Sequence, residues 1–251
     1  MKLTVLLAVI QSTSLSASEI ISDGIAGKQL IYQTESLNVL EDAEEDFIQE
    51  QRKVIEDKQL RLWGIGLFSG VDLLSYGIQI ATSSKWSHVA TVLIDENGHK
   101  YSYESNGSAF QILYKHVLPQ VQIHRWEDIV NNYAGTIATR EFKFTDSSRN
   151  DPKVIQPYVY NRIGMPYQKD LTDLINAVFR ANGGTDMASV FCSEETAHLL
   201  IQLRYLTNDR SDDNYLPKDF SQKEFIPLVD CSLGKETKAV TSGKNGCCIM
   251  V

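Results

Sequence analysis

The chain has 251 residues, of which 43% are hydrophobic and 22% are charged, and its formal net charge is −8. This composition is typical of a globular protein, and the acidic balance disfavours a general nucleic-acid binder, which needs a basic surface. Four cysteines are too few for a disulfide scaffold of this length, and no segment approaches the roughly 20 apolar residues of a membrane-spanning helix.

Residues 1–18 contain one lysine, a short apolar run and several small residues before Glu19. This pattern resembles a secretory signal peptide that is cleaved after Ser18. The alternative is a buried strand or a turn of core helix. We therefore expect residues 1–18 to be either a signal peptide or a buried N-terminal segment.

Residues 19–60 form an acidic stretch in which apolar residues recur at roughly helical spacing. The pattern predicts an acidic helical extension, made of one long amphipathic helix or two short ones. The pattern changes at residues 62–70, which are short of polar residues and interrupted by glycines, and no element is assigned to them.

Strands are predicted on either side of a tight turn at Asn97-Gly98. Residues 86–95 are apolar and rich in β-branched side chains, and residues 99–107 alternate tyrosines with polar residues. An Asn-Gly pair between two such runs is typical of a β-hairpin. Further strands are predicted at residues 121–126 and 135–144.

Helices are predicted at residues 73–81, 151–164, 170–184 and 191–206, with glycines after the second and third. An irregular polar segment follows at residues 206–227. Because strands and helices occur in separate runs, the pattern indicates an α+β fold.

The predicted hairpin brings two chemically useful residues to the same end of the sheet. His88 begins the first strand and Glu104 lies near the end of its partner, so the fold-back at the turn makes them neighbours. A carboxylate beside an imidazole orients the ring and stabilises the imidazolium. His88 alone is more often a structural histidine.

Cys192 lies at the start of the predicted helix 191–206. The partial positive charge of a helix N-terminus favours the nucleophilic thiolate, and a nearby histidine base would complete an activated pair. A cysteine alone is more often a packing residue. The sequence has no serine nucleophile elbow and no zinc-ligand spacing, so we predict neither a metal site nor a cofactor.

Six motifs occur in the order LFSG, SKWSHVATVLID, YSYESNG, GMPY, FCSEE and LPKDF, between Leu62 and Phe220. This order resembles the circularly permuted papain-like hydrolases of the NlpC superfamily, close to the YiiX-like branch. In that family the histidine strand precedes the nucleophile helix. The resemblance implies a catalytic domain over residues 61–231, with an antiparallel sheet packed on helices.

The resemblance also implies roles for individual residues. Cys192 corresponds to the nucleophile, His88 to the base and Glu104 to the polar residue that orients His88. Tyr167 in GMPY and Ser87 in WSHV correspond to positions that contact substrate. The Gly-Asp pair that the family usually carries before its first strand is absent here, because LFSG lacks the aspartate.

Residues 232–251 are predicted to be a flexible tail that ends in a C-a-a-X box. The box begins at Cys248, the expected site of prenylation, and Cys247 is the expected site of a second lipid. These two lipids would attach the protein to the cytosolic face of a eukaryotic membrane. Export through residues 1–18 is the alternative, and both signals are compatible if a microbe exports the protein into a eukaryotic host.

The sequence therefore favours a thiol hydrolase or acyltransferase that acts on an amide, isopeptide or (thio)ester bond. Its expected partners are an acyl, peptide or lipid-modified substrate and a membrane surface, but no nucleic acid. The alternatives are an exported cell-envelope amidase and a catalytically inactive, membrane-tethered binding module.

Overall fold

The computed structural model describes residues 44–106, 120–166, 191–210, 212 and 215–239. The chain divides into two units, Met1–Asp46 and Phe47–Val251. Everything described below concerns the second unit, apart from the first three residues of helix α1.

Helices and strands alternate irregularly along the chain. The helices are α1 (44–56), α2 (Leu73–Thr82), α3 (Trp126–Asn132), α4 (Pro152–Arg162) and α5 (Phe191–Gln202), with a short 3-10 helix at Pro217–Phe220. The strands are β1 (Arg61–Gly70), β2 (His88–Ile94), β3 (Lys100–Asn106), β4 (Gln120–Arg125), β5 (Gly135–Phe144), β6 (Cys231–Leu233) and β7 (Thr237–Lys238).

All of these strands pair antiparallel in the order β4-β3-β2-β1-β5-β6, and β7 also pairs with β5. The predicted α+β class and the antiparallel sheet are confirmed. The hairpin is confirmed too, since β2 and β3 flank a turn in which Gly98 has a φ of 85°. The predicted helix 170–184 lies outside the described residues.

The inner strand β1 was not predicted, because its glycines break the apolar pattern. A Cβ at Gly66 would lie 2.7 Å from the Trp126 ring, and one at Gly64 would lie 2.5 Å from the carbonyl oxygen of Arg140. The glycines therefore make room for an indole and for the neighbouring strand. Trp126 itself begins α3 rather than ending a strand as predicted.

The sheet has apolar clusters on both faces. The smaller cluster comprises Phe68, Ala90, Val92, Trp126, Ile129 and Ile137. The larger one includes α5, which packs against β2 and β3, and residues of α4 such as Ile155 and Val159. The start of α5 is thereby held against the strands that carry His88 and Glu104.

The chain segments at the two ends of the predicted catalytic domain also belong to the sheet unit. Ile55 and Leu60, placed by sequence in a separate extension, are fully buried in the larger cluster. β6 and β7 continue the sheet as far as Lys238, beyond the predicted start of the tail at residue 232. The polar, lysine-rich sequence concealed these strands, because both pair with β5 through the backbone.

Candidate active site

His88 is the first residue of β2 and is only 3% exposed. Its ring packs edge-on against Phe68, the residue paired with it on β1, at 5.1 Å between centroids. Its Nε2 atom contacts Oε2 of Glu104, which is equally buried. The Ser102 hydroxyl donates to the other carboxylate oxygen of Glu104 over 3.3 Å. The carboxylate is therefore fixed on both sides, and it fixes the imidazole.

Cys192 lies in the first turn of α5 and is 4% exposed. Its side chain hydrogen-bonds with the imidazole of His88. Because Nε2 of His88 contacts Glu104, we assign Nδ1 as the ring nitrogen that hydrogen-bonds with Cys192. The structure thus brings together His88, Glu104 and Cys192, although Glu104 lies 16 residues after His88 in the sequence and Cys192 lies 88 residues after Glu104.

The charges around His88 favour its protonated form. Burial by itself would lower the pKa of His88, but the neighbouring Cys192 and Glu104 side chains outweigh this and raise the pKa from 6.5 to about 10. At neutral pH the ring is therefore an imidazolium between a sulfur and a carboxylate. A thiol beside a fixed positive charge is the environment that favours a reactive thiolate.

No protein-family model matches this chain, and no curated protein matches it. Among solved structures, the chain is similar to the crystal structure of metalloprotein yiiX from Escherichia coli O157:H7. The identity is 15% and the TM-score 0.33, over 72% of this chain and 97% of that chain. The YiiX-like resemblance expected from the motifs is thus found among solved structures.

In the described ranges, no group of three or more His, Cys, Asp or Glu side chains is placed to hold a metal ion. His124, the buried histidine of β4, contacts the Gln122 amide oxygen at 2.8 Å instead. Among the described helices, none is long and apolar enough to cross a membrane.

Other predicted site residues have different outcomes. The Ser87 hydroxyl accepts a hydrogen bond from Gly70 N over 3.1 Å and reaches the carbonyl oxygen of Phe68 over 3.3 Å. It therefore holds the end of β1, and its role in substrate binding stays a prediction. Tyr167, Cys247 and Cys248 lie outside the described residues.

Tyr133 lies at this site but was not predicted. It follows α3 and packs against Phe68 at 5.1 Å between ring centroids, and its phenol lies near the Ser87 side chain. Burial raises the pKa of Tyr133 well above its usual value, and the charges of Asp72, Glu104 and Cys192 raise it further. The phenol is therefore a neutral hydroxyl near the thiol. Nothing local in the sequence marks it, because only the fold brings α3 to this end of the sheet.

The sequence patterns also did not predict a buried ionic network centred on Glu195. Glu195 is 3% exposed and accepts hydrogen bonds from Tyr103 over 2.5 Å, from Tyr158 over 3.1 Å and from Nε of Arg162 over 3.1 Å. Glu195 lies three residues after Cys192, so the network ties the first turns of α5 to β3 and α4. Its partners are 33 to 92 residues away, and only the second glutamate of FCSEE could have drawn attention to it.

Proposed function

We propose that this chain is a thiol-dependent hydrolase or acyltransferase, with Cys192 as nucleophile, His88 as acid and base, and Glu104 as the residue that orients His88. The observation that carries the proposal is the buried contact of one imidazole with both a helix-terminal thiol and a carboxylate. The histidine strand comes before the cysteine helix in the chain, and this order supports the proposal because it is the order that the resemblance to permuted papain-like hydrolases implies.

The first chemical step forms an acyl-enzyme. The Cys192 thiolate attacks the carbonyl carbon of an amide, isopeptide, ester or thioester, and a C–S bond forms. We assign the backbone N–H of Cys192, in the first turn of α5, as a donor to the negative oxygen that develops. Nδ1–H of His88 then gives its proton to the leaving nitrogen, oxygen or sulfur as the scissile bond breaks.

The second step releases the acyl group. His88 is now neutral and takes a proton from a water molecule, or from an alcohol or amine that accepts the acyl group. The deprotonated water, alcohol or amine attacks the thioester carbon. The C–S bond breaks, the product is a carboxylic acid or a new acyl ester or amide, and the thiolate–imidazolium pair is restored. Throughout, Glu104 keeps the ring oriented and stabilises its positive charge.

We also propose that the protein works at a membrane surface, tethered through lipids on Cys248 and Cys247. The support is the C-terminal sequence, which ends in a C-a-a-X pattern directly after a second cysteine. A tether raises the effective concentration of acyl and lipid-modified substrates in the same membrane.

Acyl-enzyme trapping tests the catalytic proposal. The full-length protein is mixed with p-nitrophenyl acetate, nitrophenolate release is followed, and peptides are mapped by mass spectrometry. We expect a burst of about one equivalent per chain and acetylation of Cys192. Cys192→Ala should give no burst, and Cys231→Ala should give an unchanged one. A burst that survives in Cys192→Ala would refute Cys192 as the nucleophile, and a wild-type protein that gives no burst would favour the inactive binding module.

A further inference from the structure

A basic cavity lies at the β5 end of the sheet. It has a volume of about 650 Å³ and is open to solvent, and its eight lining residues include Arg140, Lys143, Lys223 and Lys235. Four of these eight residues are cationic and none is acidic. In a chain with a net charge of −8, this is a local reversal of sign.

Arg140 forms the fixed floor of the cavity. Its side chain donates to the carbonyl oxygens of Gly234 over 2.8 Å, Phe220 over 2.7 Å and Leu233 over 3.2 Å. It is 8% exposed, and burial lowers its pKa although the charge of Glu236 opposes this. The guanidinium therefore holds the cavity walls together and keeps a permanent positive charge beneath them.

The three lysines form the exposed rim. Lys143, Lys223 and Lys235 are all exposed, and none of them makes a salt bridge with any carboxylate of the described part of the chain. Glu236, whose charge acts on Arg140, is already engaged by Lys85 at 3.3 Å. Because these ammonium groups lack carboxylate partners, their charge remains available to an anion.

The loop beside the rim carries an apolar side chain on its surface. Phe225, two residues beyond Lys223, is 89% exposed. An exposed aromatic next to clustered lysines is the combination with which proteins contact anionic membrane surfaces. The neighbouring Glu224 is exposed and does not line the cavity.

We propose that this basic cavity binds a small anion that carries two or more phosphate groups. Lysine ammonium groups bind phosphate as point charges, and three of them around a guanidinium match several phosphates better than one. The anion is either free in solution or the headgroup of a lipid. Substitution of Phe225 distinguishes the two, because this exposed side chain would insert into a membrane but would not contact a free anion.

The test uses full-length protein and calorimetric titration with inositol trisphosphate. We expect saturable binding, which Lys223→Glu and Lys235→Glu each weaken at least about tenfold. The matched control is Lys53→Glu, the same charge change at an exposed position on α1, which should stay within about twofold. Cys192 alkylation at the wild-type rate will show that the variants are folded.

Vesicles identify the source of the phosphate groups. Phosphatidylcholine vesicles with and without phosphatidylinositol bisphosphate are sedimented with the protein and with Phe225→Ser. A lipid headgroup is the ligand if binding needs the bisphosphate, the two cavity lysines and Phe225. A free anion is the ligand if only inositol trisphosphate binds. The proposal is overturned if neither probe binds, or if Lys53→Glu weakens binding as much as Lys223→Glu.

Discussion

His88 and Glu104 are diagonal neighbours on one face of the β2–β3 hairpin. Thr91 pairs with Tyr103, so the same register places Glu104 opposite Ala90, two residues from His88 and on the same side of the strand. The diagonal is short enough for Nε2 to contact Oε2 directly. The orientation of the imidazole is thus set by strand register, and Nδ1 is left to face the helix that carries Cys192.

The first prediction concerns the relative reactivity of two cysteines. At neutral pH, iodoacetamide should alkylate Cys192 faster than Cys231. Burial raises the pKa of Cys231 to about 11, with Arg149 opposing the shift and Asp230 adding to it, so that thiol stays protonated. Cys192 instead faces an imidazolium. Peptide-resolved mass spectrometry over time measures both rates, and equal rates in the folded protein would contradict the assignment of Cys192.

The second prediction separates the roles of His88 and Glu104. His88→Ala should slow Cys192 alkylation at pH 7 at least about tenfold, because the positive charge beside the sulfur is lost. Glu104→Gln keeps the shape of the site but weakens orientation of the ring, so its effect should be no larger. The control is His99→Ala, which removes a half-exposed imidazole at the hairpin turn. If His88→Ala is alkylated and acylated at the wild-type rate, His88 is not the base and the proposed mechanism is wrong.

The third prediction is the titration of His88. Its pKa is raised in the folded protein to about 10, so its contribution to stability is fully present below about pH 6.5 and is lost as the pH rises through about 10. The His88 ring signal in NMR, assigned by its absence in His88→Ala, should therefore remain that of an imidazolium at pH 8. Glu104→Gln should move this titration to lower pH. A midpoint near 6.5 in the wild-type protein would show that the charged triad does not form.

The fourth prediction concerns the Glu195 network. Glu195→Gln should destabilise the protein by about 3 kcal/mol, because the carboxylate partner of Arg162 is lost from a buried site. Tyr103→Phe removes one hydrogen bond to the same carboxylate and should cost about 1–2 kcal/mol. Glu50→Gln, on the exposed side of α1, should change stability by less than about 0.5 kcal/mol.

Urea unfolding measures these free energies, and Cys192 alkylation tests whether the network positions the thiol. If Glu195 positions the start of α5, Glu195→Gln should slow alkylation under conditions where the variant is still folded. A variant that is less stable but alkylated at the wild-type rate would show that the network only stabilises the fold.

The fifth prediction is the membrane anchor. In a eukaryotic cell, an N-terminal fluorescent fusion should associate with membranes, because it leaves the C-a-a-X box free. Cys248→Ser should release nearly all of it and Cys247→Ser only part, since a single prenyl chain binds reversibly. The control is Cys231→Ser, which should leave the distribution unchanged. A wild-type fusion that stays diffuse would refute the anchor and favour export through residues 1–18.

The amino-acid sequence by itself determined the local elements. The alternation of residues around Asn97-Gly98 predicted β2, the turn and β3. Helical patterns predicted α2, α4 and the start of α5, and a terminal glycine marked the end of α4. The α+β class followed from the order of these runs. Hairpin geometry is local, so the pairing of His88 with Glu104 could also be inferred before the structure.

Only the tertiary structure decided what depends on distant parts of the chain. The inner strand β1 pairs with β2 and β5, and its Gly66 makes room for Trp126, which a local pattern cannot show. Glu195 hydrogen-bonds with Tyr103, which lies 92 residues away in the sequence. The basic cavity is lined by residues of β5 and β6 and by residues 222–223, which only the fold brings together. In each case the free energy comes from packing or charge contacts between elements far apart in sequence. Those contacts are set by the fold and not by the neighbours of any one residue.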